Sequence, residues 1–250
     1  MFVPVKDALI NTVAFGSGPR TLLAHGGWTG SWELWAEPFE LLQPRWRCVS
    51  YDHRGSGATR VDPARITLDA MVDDLFAVME ARGVDRCVLA GESRGAQVAL
   101  IAAARHPERF EGLVLVAPSV STDPPPPEFV AALREDYPGA LDAFVDACLP
   151  EPGTDHLRKW GRDILGRADA ESAVALLECA FELPDVARLT MPVVVIHGTL
   201  DVIAPLEGAR QLAADLPRAT FHPLDGVGHV PTMSTPQSVA SIIDERFAAG

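Results

Sequence analysis

The chain has 250 residues, 48% of them hydrophobic and 22% charged, the balance of a folded globular protein rather than a disordered or fibrous one. Its formal net charge of −13 surrounds it with a negative field that repels nucleic acid and anionic membrane, so neither is expected as a partner. A small neutral or hydrophobic molecule is the expected ligand.

The N-terminal stretch MFVPVKDALINTVAFGSG has no basic segment leading into a long apolar one, and no window approaches the uncharged apolar length of a membrane span, so a cytoplasmic location is expected. Five apolar runs then follow in chain order: RTLLAHG (20–26), WRCVSYD (46–52), RCVLAG (86–91), GLVLVAP (112–118) and PVVVIHG (192–198). Each is continuous rather than alternating, as in strands buried on both faces of a parallel sheet, which requires helices on both sides. Between the second and third runs, Leu68, Met71, Val72, Leu75 and Met79 recur at helical spacing, with Thr67 placed to cap the helix and Gly83 to end it. That is a β-α-β unit. The segment 94–104, RGAQVALIAAA, is apolar nearly all round and suits a buried helix. Near the end, Thr235 and Pro236 fit the N-cap and first position of a helix over QSVASIIDERF. No internal repeat is present, and the class is α/β.

One region breaks this rhythm. VSTDPPPPEFV (120–130) places four prolines in a row, which neither a helix interior nor a central strand accepts. From there to about residue 187 only helical segments follow: EFVAALREDY, GALDAFVDACL, HLRKWGRDIL and ESAVALLECAF. The expected division is a core of residues 1–119 and 188–250 with a helical lid over 120–187, a packing appendage being the alternative. Cys48, Cys87, Cys148 and Cys179 are scattered without metal-binding spacing; buried thiols are expected, and a structural disulfide is the weaker alternative.

The chemistry-bearing stretch is LAGESRG (89–95). A serine hydroxyl is a poor nucleophile at neutral pH and needs a base within reach and donors for the oxyanion. Gly91-Glu92-Ser93-Arg94-Gly95 has the G-x-S-x-G form where a buried strand gives way to a buried helix, against the plain alternative of an ordinary turn. His229, in DGVGHVPTMSTP, follows the last strand-like run, ATFHPL, and so stands at a strand's carboxyl end, where open α/β sheets carry their sites. His25 and His197 read as structural; His53, His106, His156 and His222 lack supporting context. Asp201, just beyond PVVVIHG, is the candidate acid that orients the imidazole, and Asp225 is its rival. The glycines of AHGGWTGSW (24–32) suit an oxyanion loop. Its donors are expected to be the N–H of Arg94 and that of Gly27 or Trp28, with Gly27 favoured.

Taken together, HGG at 25–27, YDHRGSG at 51–57, GESRG at 91–95, HGTLDVIAP at 197–205 and GVGHVP at 226–231 resemble the α/β-hydrolase superfamily over nearly the whole chain outside the lid. The resemblance implies an eight-stranded, mostly parallel sheet, a helical cap after the sixth strand and a triad of Ser93, Asp201 and His229. DHRGSG is then a structural turn. Two residues depart from the pattern: close relatives often have histidine where Glu92 stands, and Arg94 is unusual after the serine. Both are expected to face away from the reacting carbonyl or to bind something polar. Relatives that open epoxides or displace halide use aspartate as nucleophile, so Ser93 points to acyl transfer on an ester, lactone or thioester.

A carbon–carbon bond hydrolase with the same triad is the nearest rival, and a non-catalytic ligand sensor on the same fold comes from another class. An aminopeptidase would need acidic lid residues such as Asp136, Asp142 or Asp146 in the pocket. Trp28, Trp32 and Trp160 are candidate substrate-binding residues, joined by Trp35 and Phe144 as apolar neighbours. No metal or organic cofactor is expected; a homodimer is compatible with the sequence.

Overall fold

The computed structural model describes residues 1–247. Eight strands form one sheet: β1 (Phe2–Val5), β2 (Ala8–Phe15), β3 (Arg20–His25), β4 (Trp46–Tyr51), β5 (Cys87–Glu92), β6 (Phe110–Val116), β7 (Val193–Gly198) and β8 (Ala219–Leu224). Ten helices accompany them: α1 (Ala36–Leu42), α2 (Leu68–Ala81), α3 (Gly95–Arg105), α4 (Pro127–Glu135), α5 (Tyr137–Cys148), α6 (Asp155–Leu165), α7 (Ala170–Glu178), α8 (Leu206–Asp215), α9 (Pro231–Ser234) and α10 (Pro236–Phe247). The five apolar runs are β3 to β7. Leu22 and Leu23 of β3, Leu89 and Ala90 of β5, Leu113 to Val116 of β6 and Val193 to Ile196 of β7 are fully buried, as continuous apolar character requires of strands covered on both faces.

The strand order is β1-β2-β4-β3-β5-β6-β7-β8. β2 runs antiparallel to β1 and β4, and every other neighbouring pair is parallel. From β3 the chain passes through α1 to β4 on one side, then crosses through α2 to β5 on the other. This reversal opens a crevice at the carboxyl ends of β3 and β5, the place where such sheets bind ligands. α2 packs on α3, and α1 packs on α10; right-handed crossovers put these pairs on opposite faces of the sheet.

Local signals are mostly used as expected. The Thr67 hydroxyl accepts from the Ala70 N–H at 3.1 Å to cap α2, and Gly83 takes a φ of 61° just past its end. Thr235 and Pro236 take the expected places just before and at the start of α10, the Thr235 carbonyl accepting from Ser238 and Val239 N–H, while its hydroxyl donates back to the Pro231 carbonyl of α9 at 3.3 Å. In DHRGSG the Asp52 carboxylate accepts from the N–H groups of Trp32 and Ala58 and the amide of Asn11. Arg54 forms a buried pair with Asp74 of α2, Nε to Oδ2 2.7 Å. The motif is structural. Cys48, Cys87 and Cys148 are buried and Cys179 half-buried, all as free thiols; burial pushes Cys48 and Cys87 up to about 12.

Between β6 and β7 the chain forms α4 to α7 and no strand among the described residues. Residues of α5 and α6 line the same cavity as Ser93, so these helices stand over the carboxyl edge of the sheet. No helix among the described residues is long and apolar enough to cross a membrane.

Candidate active site

Ser93 occupies the turn between β5 and α3 with a φ of 52°, the left-handed region that a serine rarely adopts. Its N–H donates to Val116 at 2.9 Å, while its carbonyl accepts from Ala96 and Ser119, both at 3.1 Å. The strand ladder therefore holds one side of the serine and the helix start holds the other, leaving the hydroxyl projecting from a sharp bend. The flanking glycines are required by close approach. A Cβ on Gly91 would lie 2.5 Å from the Gly95 carbonyl oxygen, and one on Gly95 would lie 2.8 Å from that of His25.

Asp201 and His229 arrive on two loops that hydrogen-bond to each other, Thr199 N–H to Leu224 O at 2.9 Å and Leu200 N–H to Val227 O at 2.8 Å. His229 Nδ1–H donates to Asp201 Oδ2 at 2.7 Å, and the Ser93 hydroxyl donates to His229 Nε2 at 2.9 Å. These contacts select the tautomer whose Nε2 can accept a proton. Asp201 Oδ1 accepts from Ile203 and Ala204 N–H at 2.8 and 2.9 Å, and His197 Nε2 lies 3.2 Å from Oδ2. Burial alone opposes ionisation of Asp201, but the hydrogen bond and charge of His229, with the Ala204 and His197 contacts, outweigh it and hold the carboxyl below its ordinary value. The rival, Asp225, is exposed and accepts from Thr199, shaping the turn before His229.

The His229 loop is also fastened from outside. Its own N–H donates to the Cys148 carbonyl at 2.8 Å, the Gly228 N–H donates to Glu151 Oε1 at 2.7 Å, and the Thr232 hydroxyl donates to Glu92 Oε1 at 2.7 Å. Sequence reasoning missed Cys148 and Glu151 in this role. Glu151 is 77 residues from Gly228, and no local pattern signals a contact at that separation.

Gly27 lies directly against the serine, where a Cβ would fall 3.1 Å from Ser93 Cβ. Its carbonyl is held by Gly30 N–H at 3.0 Å and by His53 Nε2 at 3.1 Å. Arg94 caps α3, so its N–H points from the helix start, while its guanidinium turns aside to the Cys179 carbonyl at 3.0 Å. His25 and His197 are buried structural residues. Burial, reinforced by the neighbouring His53, lowers His25 to about 3, and His197 bonds the Ala204 carbonyl at 2.8 Å.

The cavity above Ser93 and His229 is walled by Trp28, Leu34, Phe144, Val145, Leu149, Leu165 and Met233, with Glu92 and Cys148 among its few polar groups. Of the candidate tryptophans only Trp28 lines it, positioned by its indole N–H donating to Ala173 at 2.8 Å. Trp32 instead lies tilted beside Phe15, with ring centroids 5.6 Å apart. Trp160 is half-buried on α6, whose next residue, Gly161, forms the wall. The acidic residues an aminopeptidase would need are elsewhere: Asp136 caps α5, and Asp142 and Asp146 pair with Arg162.

A serine in a strand-to-helix bend, with an acid after β7 and a histidine after β8 of a sheet in this order, defines the class of α/β hydrolases. The chain belongs to the alpha/beta hydrolase fold family, whose sequence profile matches residues 20–181, and it is an enzyme. Among its relatives is a pimeloyl-acyl-carrier-protein methyl ester esterase of Nitrosomonas europaea, 30% identical over 95% of this chain and 99% of that one. A "Putative carbamate hydrolase RutD" of Caulobacter sp. is 30% identical over 93% of this chain and 92% of its own. A thermophilic esterase from Thermogutta terrifontis superposes with a TM-score of 0.85 at 26% identity, covering 98% of this chain and 96% of that one.

Proposed function

We propose that the protein is a serine hydrolase that cleaves an ester, lactone or thioester of a small, hydrophobic substrate through an acyl-enzyme. The observation that carries this reading is the continuous chain Asp201 Oδ2, His229 Nδ1, His229 Nε2, Ser93 Oγ, with links of 2.7 and 2.9 Å, opening on an apolar cavity. His229 takes the proton as Ser93 attacks the carbonyl, Asp201 stabilises the imidazolium, and His229 then gives the proton to the leaving group. Water, deprotonated in turn by His229, releases the acid. The N–H groups of Arg94 and Gly27 receive the oxyanion, with Trp28 N–H as the alternative second donor. The esterase and carbamate hydrolase relatives both bear names for cleavage of an acyl–heteroatom bond, which fits serine attack at a carbonyl.

The helices α4 to α7 serve in this reading as a lid. The cavity is about 50 Å³ and is walled by residues of α5 and α6, so in this reading those helices control access of substrate to Ser93. A fluorophosphonate probe tests the proposal. Stoichiometric labelling that disappears in Ser93→Ala is expected; folded wild-type protein that stays unlabelled overturns it.

A further inference from the structure

Glu92, a residue lining the cavity, has half of its carboxyl group's hydrogen-bonding capacity unused. Glu92 is 2% exposed, its Oε1 accepts from the Thr232 hydroxyl at 2.7 Å, and its Oε2 meets no partner among the described residues. No cationic side chain pairs with it among those residues. The acidic groups gathered with it around Cys148 are Asp201 and Glu151, and His229, bonded to Ser93 and Asp201, lines the same cavity. An ionised carboxylate in such a place loses its hydration without gaining a counter-charge. Burial accordingly pushes Glu92 up to about 8, against the opposing effect of the Thr232 bond. Burial without a counter-charge favours the acid form toward neutral pH, and because Oε1 already accepts from Thr232, Oε2 is the atom left to carry the proton.

We propose that Glu92 determines specificity by offering its Oε2–H to an acceptor atom of the substrate, an ether, carbonyl or hydroxyl oxygen a few bonds from the scissile carbonyl. The rest of the wall cannot do this. Ser93 and His229 are bonded to each other, the Cys148 thiol is a weak donor, and Trp28 has its indole N–H committed to Ala173. A purely alkyl substrate would leave the buried donor unsatisfied, whereas one with a correctly placed oxygen would satisfy it, and discrimination of this kind is strong. This inference rests on the reading of Ser93 as nucleophile and adds the substrate class to it.

The test uses p-nitrophenyl esters in which one methylene beyond the α carbon is replaced by an ether oxygen, at successive positions, each paired with its all-carbon counterpart. In the wild type, one position is expected to show a raised ratio of kcat/KM for the ether ester over its counterpart. Glu92→Met should lower that ratio roughly tenfold, and Glu92→Gln, which keeps a donor and an acceptor, should preserve it. A ratio unchanged in Glu92→Met overturns the proposal, as does a ratio lost equally in Glu92→Gln, which would mean that a donor at this position is not what reads the oxygen. Should Glu92→Met fail to fold, the infrared difference between wild type and Glu92→Gln at pH 7 decides. A protonated-carboxyl band that shifts when an ether-bearing phosphonate occupies Ser93 supports the assignment, and its absence overturns it. Phosphonate labelling is scored separately, so failure of the nucleophile assignment is distinguishable from failure of this one.

Discussion

The main-chain N–H of His229 donates to the carbonyl of Cys148 at 2.8 Å, so the residue proposed as base is tied to the last turn of α5 as well as to its own loop. Glu151, three residues on, accepts from Gly228 at 2.7 Å. Glu151→Ala leaves that N–H unsatisfied and removes one of the loop's ties; kcat is expected to fall roughly tenfold with little change in KM, because small misplacements of the proposed base are costly. Glu151→Gln retains an acceptor and should stay within about threefold of wild type. Steady-state kinetics on both variants check this, and wild-type kcat in Glu151→Ala contradicts it.

Ser93→Ala and His229→Ala are each expected to lower kcat by about four orders of magnitude or more, and the double variant to be little worse, because in the proposed mechanism the two side chains act as a unit. A double-mutant cycle is the measurement. Losses that multiply would mean they work independently.

Gly27→Ala places a methyl group 3.1 Å from Ser93 Cβ, close enough to push the serine or the loop proposed to bind the oxyanion by a few tenths of an ångström. The expected result is a drop in kcat of roughly ten- to a hundredfold with the fold intact, read from kinetics alongside a melting curve. Unaltered turnover would remove Gly27 from the oxyanion loop.

His25 carries a pH signature in stability. Burial lowers it from 6.5 to about 3 in the folded chain, so the unfolded state binds more protons between those values. The stabilisation is complete above about pH 6.5 and is lost as pH falls toward 3, at up to about 1.4 kcal/mol per pH unit. Urea unfolding between pH 7.5 and 5 should show a shallower loss in His25→Gln than in wild type, and parallel curves would contradict the assignment. Glu92 acts with the opposite sign. Raised from 4.5 to about 8, its contribution is complete below about pH 4.5 and lost as pH rises through 8, so Glu92→Gln should gain on wild type from pH 6 to pH 9.

Much of this was legible in the chain itself because burial on both faces writes an uninterrupted apolar run, as in β3, β5, β6 and β7. The same logic located Ser93, Asp201 and His229, each just beyond such a run or the strand-like ATFHPL. Other features had no local trace. The β1–β2 hairpin turns on Lys6 and Asp7, with Asp7 at a φ of 67° and no glycine to announce it. Trp160 and Gly161 differ by one step on α6, about 100° of rotation, and that step puts Gly161 in the cavity wall and Trp160 outside it. Trp28 and Trp32 are close in sequence, yet only the first lines the cavity with Ser93, while the second lies beside Phe15 and its main-chain N–H donates to Asp52.

The fastening of the His229 loop to Cys148 and Glu151 also bears on how such a chain can diverge. A helical segment that enters and leaves between two adjacent strands looks exchangeable, a module that evolution or an engineer could graft from one scaffold to another to reshape selectivity. Here a transplanted segment would also have to resupply two acceptors, a carbonyl and a carboxyl, at the base of its second helix, so the inherited chemistry constrains which replacements survive.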